Sequence, residues 1–152
     1  MSDDRTLVLT RVLNAPREMV FAAWTDPTQA AQWWGPRGCT TARNEMDVRV
    51  GGTWRRSMYS PEGTEHRSRG VYREIVEPER LVFTFSWEKG GAAGHGPETL
   101  ITLVFTDLGD GRTELTLRQE VFETVVACEE HRAGWSSCLD RFADYLAERR
   151  SR

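Results

Sequence analysis

The segment that decides the fold is residues 124–150, which read TVVACEEHRAGWSSCLDRFADYLAERR. Its large apolar side chains recur at intervals of four, three and four residues: Trp135, Leu139, Phe142 and Leu146. This spacing predicts an α-helix with one apolar face. A helix of roughly 20–26 residues is about 30–39 Å long, enough to cross a whole β-sheet. Gly134, early in the segment, predicts either a kink or a close approach to the sheet beneath.

Upstream of this helix the chain has the periodicity of β-strands. Strand-like segments lie at about 39–49, 53–60, 66–76, 80–88, 98–107 and 112–121, separated by short turn signals rich in glycine and proline. The clearest of them is Leu81–Trp87, in which every second residue is large and apolar. Because short turns join neighbouring strands in antiparallel pairs, the segments predict a meander with one buried face.

The start of the chain predicts one strand followed by two short helices. Thr6–Leu13 is rich in β-branched and apolar residues, and Pro16 suits the first turn of the helix that follows. A second helix is expected to begin at Asp26 as its N-cap, with Pro27 as its first residue and Gln29 completing a capping box. The order of elements is therefore β-αα-β-β-β-β-β-β-α. A single long helix covers only part of a seven-stranded face, so we expect the sheet to close around the helix and leave a cavity.

Several motifs, in order along the chain, resemble one known family. They are Ala15-Pro16, Val20–Trp24, Thr25-Asp26-Pro27, Trp33-Trp34-Gly35-Pro36, Asp47–Trp54, Gly70–Ile75, Pro78–Leu81 and Gly134-Trp135. They make the chain similar to the helix-grip fold of the START-like (SRPBCC, birch-pollen-allergen-like) superfamily, in the branch named after the activator of heat-shock-protein-90 ATPase. The resemblance implies one α+β domain over residues 1–152, with an ordered core at about 6–149. Its expected architecture is a curved antiparallel sheet of about seven strands around the long C-terminal helix.

The resemblance also implies a function class. In this superfamily the cavity under the long helix binds lipids, sterols, polyketides or other apolar molecules, and a minority of members are cyclases or hydrolases. The eukaryotic co-chaperone has a further N-terminal domain that contacts the chaperone, whereas this chain begins directly with the helix-grip domain. Of the functions that the resemblance implies, interaction with a chaperone is therefore the least expected.

Composition and charge exclude several other classes of function. Lys plus Arg is 20 and Asp plus Glu is 23, giving a net charge of -3, so the chain lacks the basic excess of a nucleic-acid-binding protein. No apolar stretch is long enough for a membrane helix and no signal peptide is evident, so we expect a cytoplasmic protein without a membrane partner. The cysteines and histidines are scattered, which predicts reduced thiols, no metal site and no cofactor: Cys39, Cys128, Cys138, His66, His95 and His131.

The six tryptophans suggest an aromatic cavity wall, because a sealed core of this size rarely needs so many indoles. The expected ligand-binding residues are Trp33, Trp34, Trp54, Met58, Phe85, Trp87, His131, Trp135, Leu139 and Phe142. For each of these side chains, simple core packing is the competing interpretation. Met58 would supply an adaptable surface on the strand face of Trp54.

His131 is a candidate for acid–base chemistry. It precedes Trp135 by one helical turn, so it should face the same side as that indole. A histidine there can act as a general base near neutral pH, and a satisfied or solvent-facing histidine is the alternative. Charged residues in the strands could also face inward, and a buried arginine would need a carboxylate or a ligand anion to offset its desolvation. They are Glu45, Arg49, Arg55, Arg56, Glu98, Arg118 and Glu120.

Three functions follow from these residues. The first is binding of a small apolar or aromatic molecule by a protein that is not an enzyme, since no nucleophile, metal or phosphate motif is recognisable. The second is a cyclase, aromatase or hydrolase that uses the same cavity, with His131 or an inward carboxylate as its acid–base group. The third is a co-chaperone-like interaction module. A homodimer is compatible with the size of the domain, and the glycine-rich loop Lys89–Pro97 is either a plain hairpin connection or a lid over the cavity.

Overall fold

A computed structural model describes residues 5–88 and 97–150 of the protein. Its elements, in chain order, are β1 (Leu7–Leu13), α1 (Arg17–Thr25), α2 (Pro27–Trp33), β2 (Thr40–Met46), β3 (Thr53–Tyr59), β4 (Glu65–Val76), β5 (Arg80–Trp87), β6 (Thr99–Gly109), β7 (Arg112–Glu120) and α3 (Val125–Arg150). This is the predicted α+β order, with two short helices after the first strand and a long helix at the end. Among the described residues no helix is both long enough and apolar enough to cross a membrane.

The seven strands form one antiparallel, curved sheet in the order β1-β7-β6-β5-β4-β3-β2. Strands β2 to β7 follow one another as the predicted meander, and β1 joins the far side of β7 with Leu9 opposite Leu117. The helix α3 packs against the inner face, where its residues Leu139, Phe142 and Leu146 are buried. The predicted helix-grip fold is therefore confirmed.

Alternation along the strands decides which side chains face α3. In β5, β6 and β7 the inward positions are large and apolar, apart from a few polar ones near the strand ends. The inward residues of these strands are Leu81, Phe83, Phe85, Trp87, Thr99, Ile101, Leu103, Phe105, Thr113, Leu115, Leu117 and Gln119. Burying this apolar set contributes the main stabilising free energy of the sheet–helix interface.

The helices α1 and α2 close one end of the sheet. Asp26 is the N-cap of α2 and accepts a hydrogen bond from the backbone N–H of Thr28 at 3.0 Å, as expected. The predicted capping box is wrong in one detail, because the Gln29 side chain donates to the Asp26 carboxylate and not back to its backbone. The Asp26 backbone N–H already donates to Ala22 at the end of α1, so it is unavailable to Gln29.

Two local predictions need correction. The second strand ends at Met46 and not near residue 49, because Asp47 and Arg49 form a tight turn that Gly51 continues with a φ of 85°. The helix α3 is continuous through Gly134, and a side chain there would meet Pro36 at 3.8 Å. The close approach at Gly134 is therefore to the segment after α2, at ordinary van der Waals distance, and not to the sheet.

Candidate functional site

A cavity of about 830 Å³ lies between the N-terminal half of α3 and the inner face of the sheet. Its walls come from β3, β4 and β5, from the segment after α2, and from the connection between β7 and α3. The apolar lining consists mainly of Trp34, Pro36, Met58, Phe85, Trp87, Phe122, Ala127 and Trp135. The volume lies within the range typical of small-molecule sites.

The aromatic wall is a set of edge-to-face contacts. Trp34 packs against Trp135 with ring centroids 5.3 Å apart and ring planes at 90°. Phe85 meets Trp87 at 5.1 Å and 89°. In this arrangement the positive edge of one ring meets the negative face of the other, which fixes the orientation of both rings. The cavity therefore has a largely preformed shape.

His131 projects from α3 into this wall and is held by its neighbours. The Trp87 indole donates a hydrogen bond from Nε1 to His131 Nε2 at 3.0 Å. The imidazole also contacts the rings of Phe85 and Phe122, with centroids 5.3 and 5.0 Å away. Burial among these rings lowers the pKa of His131 to about 4, so the imidazole is neutral at physiological pH.

A chain of hydrogen bonds runs behind the wall. Trp135 Nε1 donates to Gln119 Oε1 at 2.8 Å, and Gln119 Nε2 donates to Thr99 Oγ1 at the same distance. The Thr99 hydroxyl then donates to the carbonyl oxygen of Phe85 at 2.9 Å. Because Gln119 is fully buried, this network fixes the Trp135 ring and satisfies polar groups that would otherwise be costly there.

Two arginines support the segment after α2. Arg56 is buried, and its guanidinium lies 3.8 Å from the ring centroid of Trp34. Arg141 on α3 donates from Nη1 to the carbonyl oxygens of Trp34 and Gly35 at 3.0 and 3.4 Å. The stacking of Arg56 and the hydrogen bonds of Arg141 together fix the position of the segment that carries the Trp34 indole.

The cysteine thiols beside this segment are unreactive. Within the described residues none of the three cysteines forms a disulfide and all three are buried, and Cys39 and Cys138 line the cavity. Burial raises the pKa of Cys138 to about 12 and also raises that of Cys39. Both thiols are therefore protonated at neutral pH, which removes them as nucleophiles. No group of three potential metal ligands occurs within residues 5–88 and 97–150.

The charged residues on the lining are mostly acidic. Within the described parts of the chain they are Glu65, Arg67, Glu88, Glu123 and Glu130. Glu65 pairs with Arg67 at 3.1 Å, and Glu88 pairs with Arg55. Because Glu65 and Glu88 are ion-paired, the excess negative charge of the lining comes from Glu123 and Glu130, and it makes the lining unfavourable for an anion.

The structure places six of the predicted binding residues on the cavity wall: Trp34, Met58, Phe85, Trp87, His131 and Trp135. The other four do not line it, which corrects their expected place: Trp33, Trp54, Leu139 and Phe142. Trp33 packs on Phe142 at 4.4 Å because α1 and α2 fill that end of the sheet. Trp54 is covered by Trp34, whose ring centroid is 6.0 Å away. These four residues form the solid core beside the cavity.

Sequence reasoning missed several residues that build the site. Phe122 lies two residues after the end of β7, while Gln119 has the inward parity of Leu117 and Thr99 has that of Leu103. Seven charged strand residues were candidates to face inward. Among them Arg56 is buried, Glu120 is half-buried and the others are exposed. Alternation from Leu115 and Leu117 would have identified Gln119, whereas nothing in the local sequence marks Phe122. Residues 89–96 of the predicted lid lie outside the described residues, and Pro97 lines the cavity.

Comparisons with known proteins agree with this architecture. The model of the family "Activator of Hsp90 ATPase homolog 1-like protein" matches residues 14–147. A protein of Chromobacterium violaceum is 31% identical, with 92% of this chain and 95% of that chain covered and a TM-score of 0.82. The AHSA1 protein of Silicibacter pomeroyi is 25% identical over 95% of this chain and 99% of that chain, with a TM-score of 0.84.

More distant chains keep the same fold. A protein of Nitrosomonas europaea is 20% identical, with 100% of both chains covered and a TM-score of 0.81. A comparison with curated proteins finds no significant match. The similarities therefore establish fold and relationship, and any statement about a ligand depends on the cavity itself.

Proposed function

The chain belongs to the family of activator of Hsp90 ATPase homolog 1-like proteins, and from this premise we propose that it binds a small apolar or aromatic molecule between the sheet and α3. The observation that carries the proposal is the cavity of about 830 Å³ with its aromatic wall. Its edge-to-face rings offer flat apolar surfaces to a ligand, and a lining of this kind is typical of sites for planar or chain-like apolar molecules.

The enzymatic alternative with His131 as general base is not supported by the geometry. A general base must present a lone pair to the reacting proton. The Nε2 lone pair of His131 accepts from the Trp87 indole, and burial lowers the pKa of the imidazole to about 4. Cys39 and Cys138 are held as thiols, so they do not supply a nucleophile in its place. Binding is thus the function that the cavity supports best.

The proposal is tested by filling the cavity. Ala127 lines it, while Ala133 lies on the same helix and is exposed. We expect Ala127→Trp to weaken binding of the neutral fluorescent ketone 6-propionyl-2-dimethylaminonaphthalene by about ten-fold or more, equivalent to about 1.4 kcal/mol. Ala133→Trp, the matched control, should leave binding unchanged. The measurement is the blue shift and intensity of the probe during titration with each protein.

Two results would contradict the proposal. Either the parent protein fails to bind the probe at concentrations near its solubility limit, or Ala127→Trp and Ala133→Trp bind it as well as the parent does. Circular dichroism of both variants shows whether they keep the parent fold, so that a loss of binding is assigned to the cavity and not to unfolding.

A further inference from the structure

We propose that His131 determines the specificity of the cavity by donating a hydrogen bond from Nδ1–H to a neutral acceptor, such as a ketone or ester oxygen, on an otherwise apolar ligand. This inference rests on the proposed function and adds the chemical class of the ligand to it.

The tautomer follows from the Trp87 hydrogen bond. An indole N–H has no lone pair to offer, so it donates and cannot accept. His131 Nε2, 3.0 Å from Trp87 Nε1, must therefore be the acceptor and carries no proton. In a neutral imidazole the proton is then on Nδ1, so the ring has one N–H donor remaining.

The neutral state follows from burial. Phe85, Trp87 and Phe122 surround the ring, and desolvation among them lowers the pKa of His131 to about 4. A protonated imidazole would also carry a proton at Nε2 and lose the Trp87 hydrogen bond. At neutral pH the ring is accordingly an uncharged donor with a fixed orientation.

The Nδ1 proton is available to a ligand. Within residues 5–88 and 97–150, His131 has one hydrogen bond, the one from Trp87. The buried side-chain atoms without a partner in this part of the chain are Arg17 Nε, Trp24 Nε1, Thr41 Oγ1 and Trp54 Nε1. His131 Nδ1 is not among these buried, unpartnered atoms. Since His131 lines the cavity and has no second hydrogen bond within the described residues, we infer that its Nδ1–H faces the cavity.

The surrounding groups favour a neutral acceptor. A ligand carboxylate would meet the excess negative charge of the lining, and a ligand ammonium has no lone pair to accept from an N–H donor. The other polar groups behind the wall are already engaged, because Trp135, Gln119 and Thr99 satisfy one another. A neutral acceptor oxygen, such as that of a carbonyl, ether or hydroxyl group, is the group that His131 fits.

The test uses two neutral probes of nearly equal shape, 2-acetylnaphthalene and 2-isopropenylnaphthalene, which differ in a C=O against a C=CH₂. The quantity measured is the ratio of their dissociation constants, because it removes effects common to both probes. We expect His131→Phe to reduce the preference for the ketone by about three- to ten-fold, the value of one neutral hydrogen bond. Tyr145→Phe, which removes a hydrogen-bonding hydroxyl from the same helix away from the cavity lining, is the control and should leave the ratio unchanged.

The outcomes separate the two proposals. If the parent binds both probes and the ratio is the same in His131→Phe, or falls as much in Tyr145→Phe, the role of His131 is wrong while cavity binding stands. If the parent binds neither probe, cavity binding of such molecules is wrong and the inference falls with it. A selective loss of ketone preference in His131→Phe supports both.

A second measurement covers the case in which His131→Phe does not fold, since that variant leaves the Trp87 N–H without its acceptor. Nitrogen-15 NMR of the parent protein distinguishes the protonated from the unprotonated ring nitrogen. We expect Nδ1 of His131 to be protonated at pH 7, and the balance to shift toward protonated Nε2 in Trp87→Phe. Protonated Nε2 in the parent would overturn the inference by itself.

Discussion

At the scale of single residues, His131 couples stability to pH. Its folded-state pKa of about 4 lies below the ordinary 6.5 of an unfolded histidine. Between these two values the unfolded chain binds a proton that the folded protein excludes, so the free energy of unfolding must fall as the pH falls through this window. Above pH 6.5 both states are neutral at this residue, and its contribution to the pH dependence vanishes.

The prediction is that lowering the pH from 7 to about 4.5 costs the protein roughly 2–3 kcal/mol through His131 alone. His131→Phe removes the titrating group, so its loss of stability over the same range should be smaller by that amount. Chemical denaturation at the two pH values measures both. Parallel losses in the parent and the variant would show that His131 does not carry the effect.

Arg56 provides a second residue-scale prediction. Burial lowers its pKa to about 10, and its hydrogen-bond acceptors within the described chain are neutral: Asn44 Oδ1 at 2.7 Å and Met46 Sδ at 3.2 Å. The planar guanidinium also stacks on the Trp34 ring, whereas a lysine ammonium would keep the cost of a buried charge without that flat contact. We therefore expect the charge-retaining Arg56→Lys to be less stable than Arg56→Met, by about 1–2 kcal/mol.

Urea denaturation of the two variants under identical conditions decides the ranking. If Arg56→Lys equals or exceeds Arg56→Met in stability, a buried charge without the guanidinium's stacking is not unfavourable at this position. The Trp34 indole is part of the cavity wall, so probe binding by Arg56→Met also shows whether the stacked guanidinium is needed to hold that ring.

At the scale of elements, two glycines should respond to the same substitution with opposite sign. A Cβ at Gly70 in β4 would lie 1.8 Å from the Thr84 carbonyl oxygen and 2.5 Å from Trp54 Nε1. Strands β4 and β5 would have to separate there, and Trp54 would have to move. At Gly134 in α3 the nearest atom to a new Cβ is Pro36 Cγ at 3.8 Å, so the site has room.

We expect Gly70→Ala to lower the free energy of unfolding by about 3 kcal/mol, the upper end of the usual cost of overpacking. Gly134→Ala should raise it by up to about 1 kcal/mol, because alanine is the better helix former. Thermal and chemical unfolding of the two variants provide the measurement. A stable Gly70→Ala protein would mean that the β4–β5 pairing is looser than its geometry indicates.

At the scale of the whole molecule, the architecture could be predicted from the sequence because it depends on periodicity. The stripe from Trp135 to Leu146 defines α3, and alternation such as that of Leu81–Trp87 defines the sheet. The end of β2 was harder to predict, since Asp47 and Arg49 continue a strand-like pattern while their backbone already turns. Such turns depend on a few local hydrogen bonds that composition does not reveal.

The candidate site was only partly predictable, for a physical reason. A helical stripe identifies the face that is buried but not which part of it meets solid core and which part meets empty space. Leu139 and Phe142 share their face with Trp135, yet α1 and α2 fill the space beneath them and leave the cavity at the other end of α3. The tautomer of His131 depends on Trp87, 44 positions away along the chain, so no local pattern contains it.

The cluster of tryptophans at and beside the cavity wall also gives the protein an intrinsic spectroscopic signal. Five of its six tryptophans form a connected chain of ring contacts no longer than 6.3 Å: Trp24, Trp33, Trp34, Trp54 and Trp135. Chromophores this close share their excited states, so light absorbed by one indole is emitted by whichever lies lowest in energy. Trp34 and Trp135 belong both to this chain and to the cavity wall. A guest molecule beside them therefore changes the emission and the near-ultraviolet dichroism of the whole set, and the protein reports its own occupancy without a label.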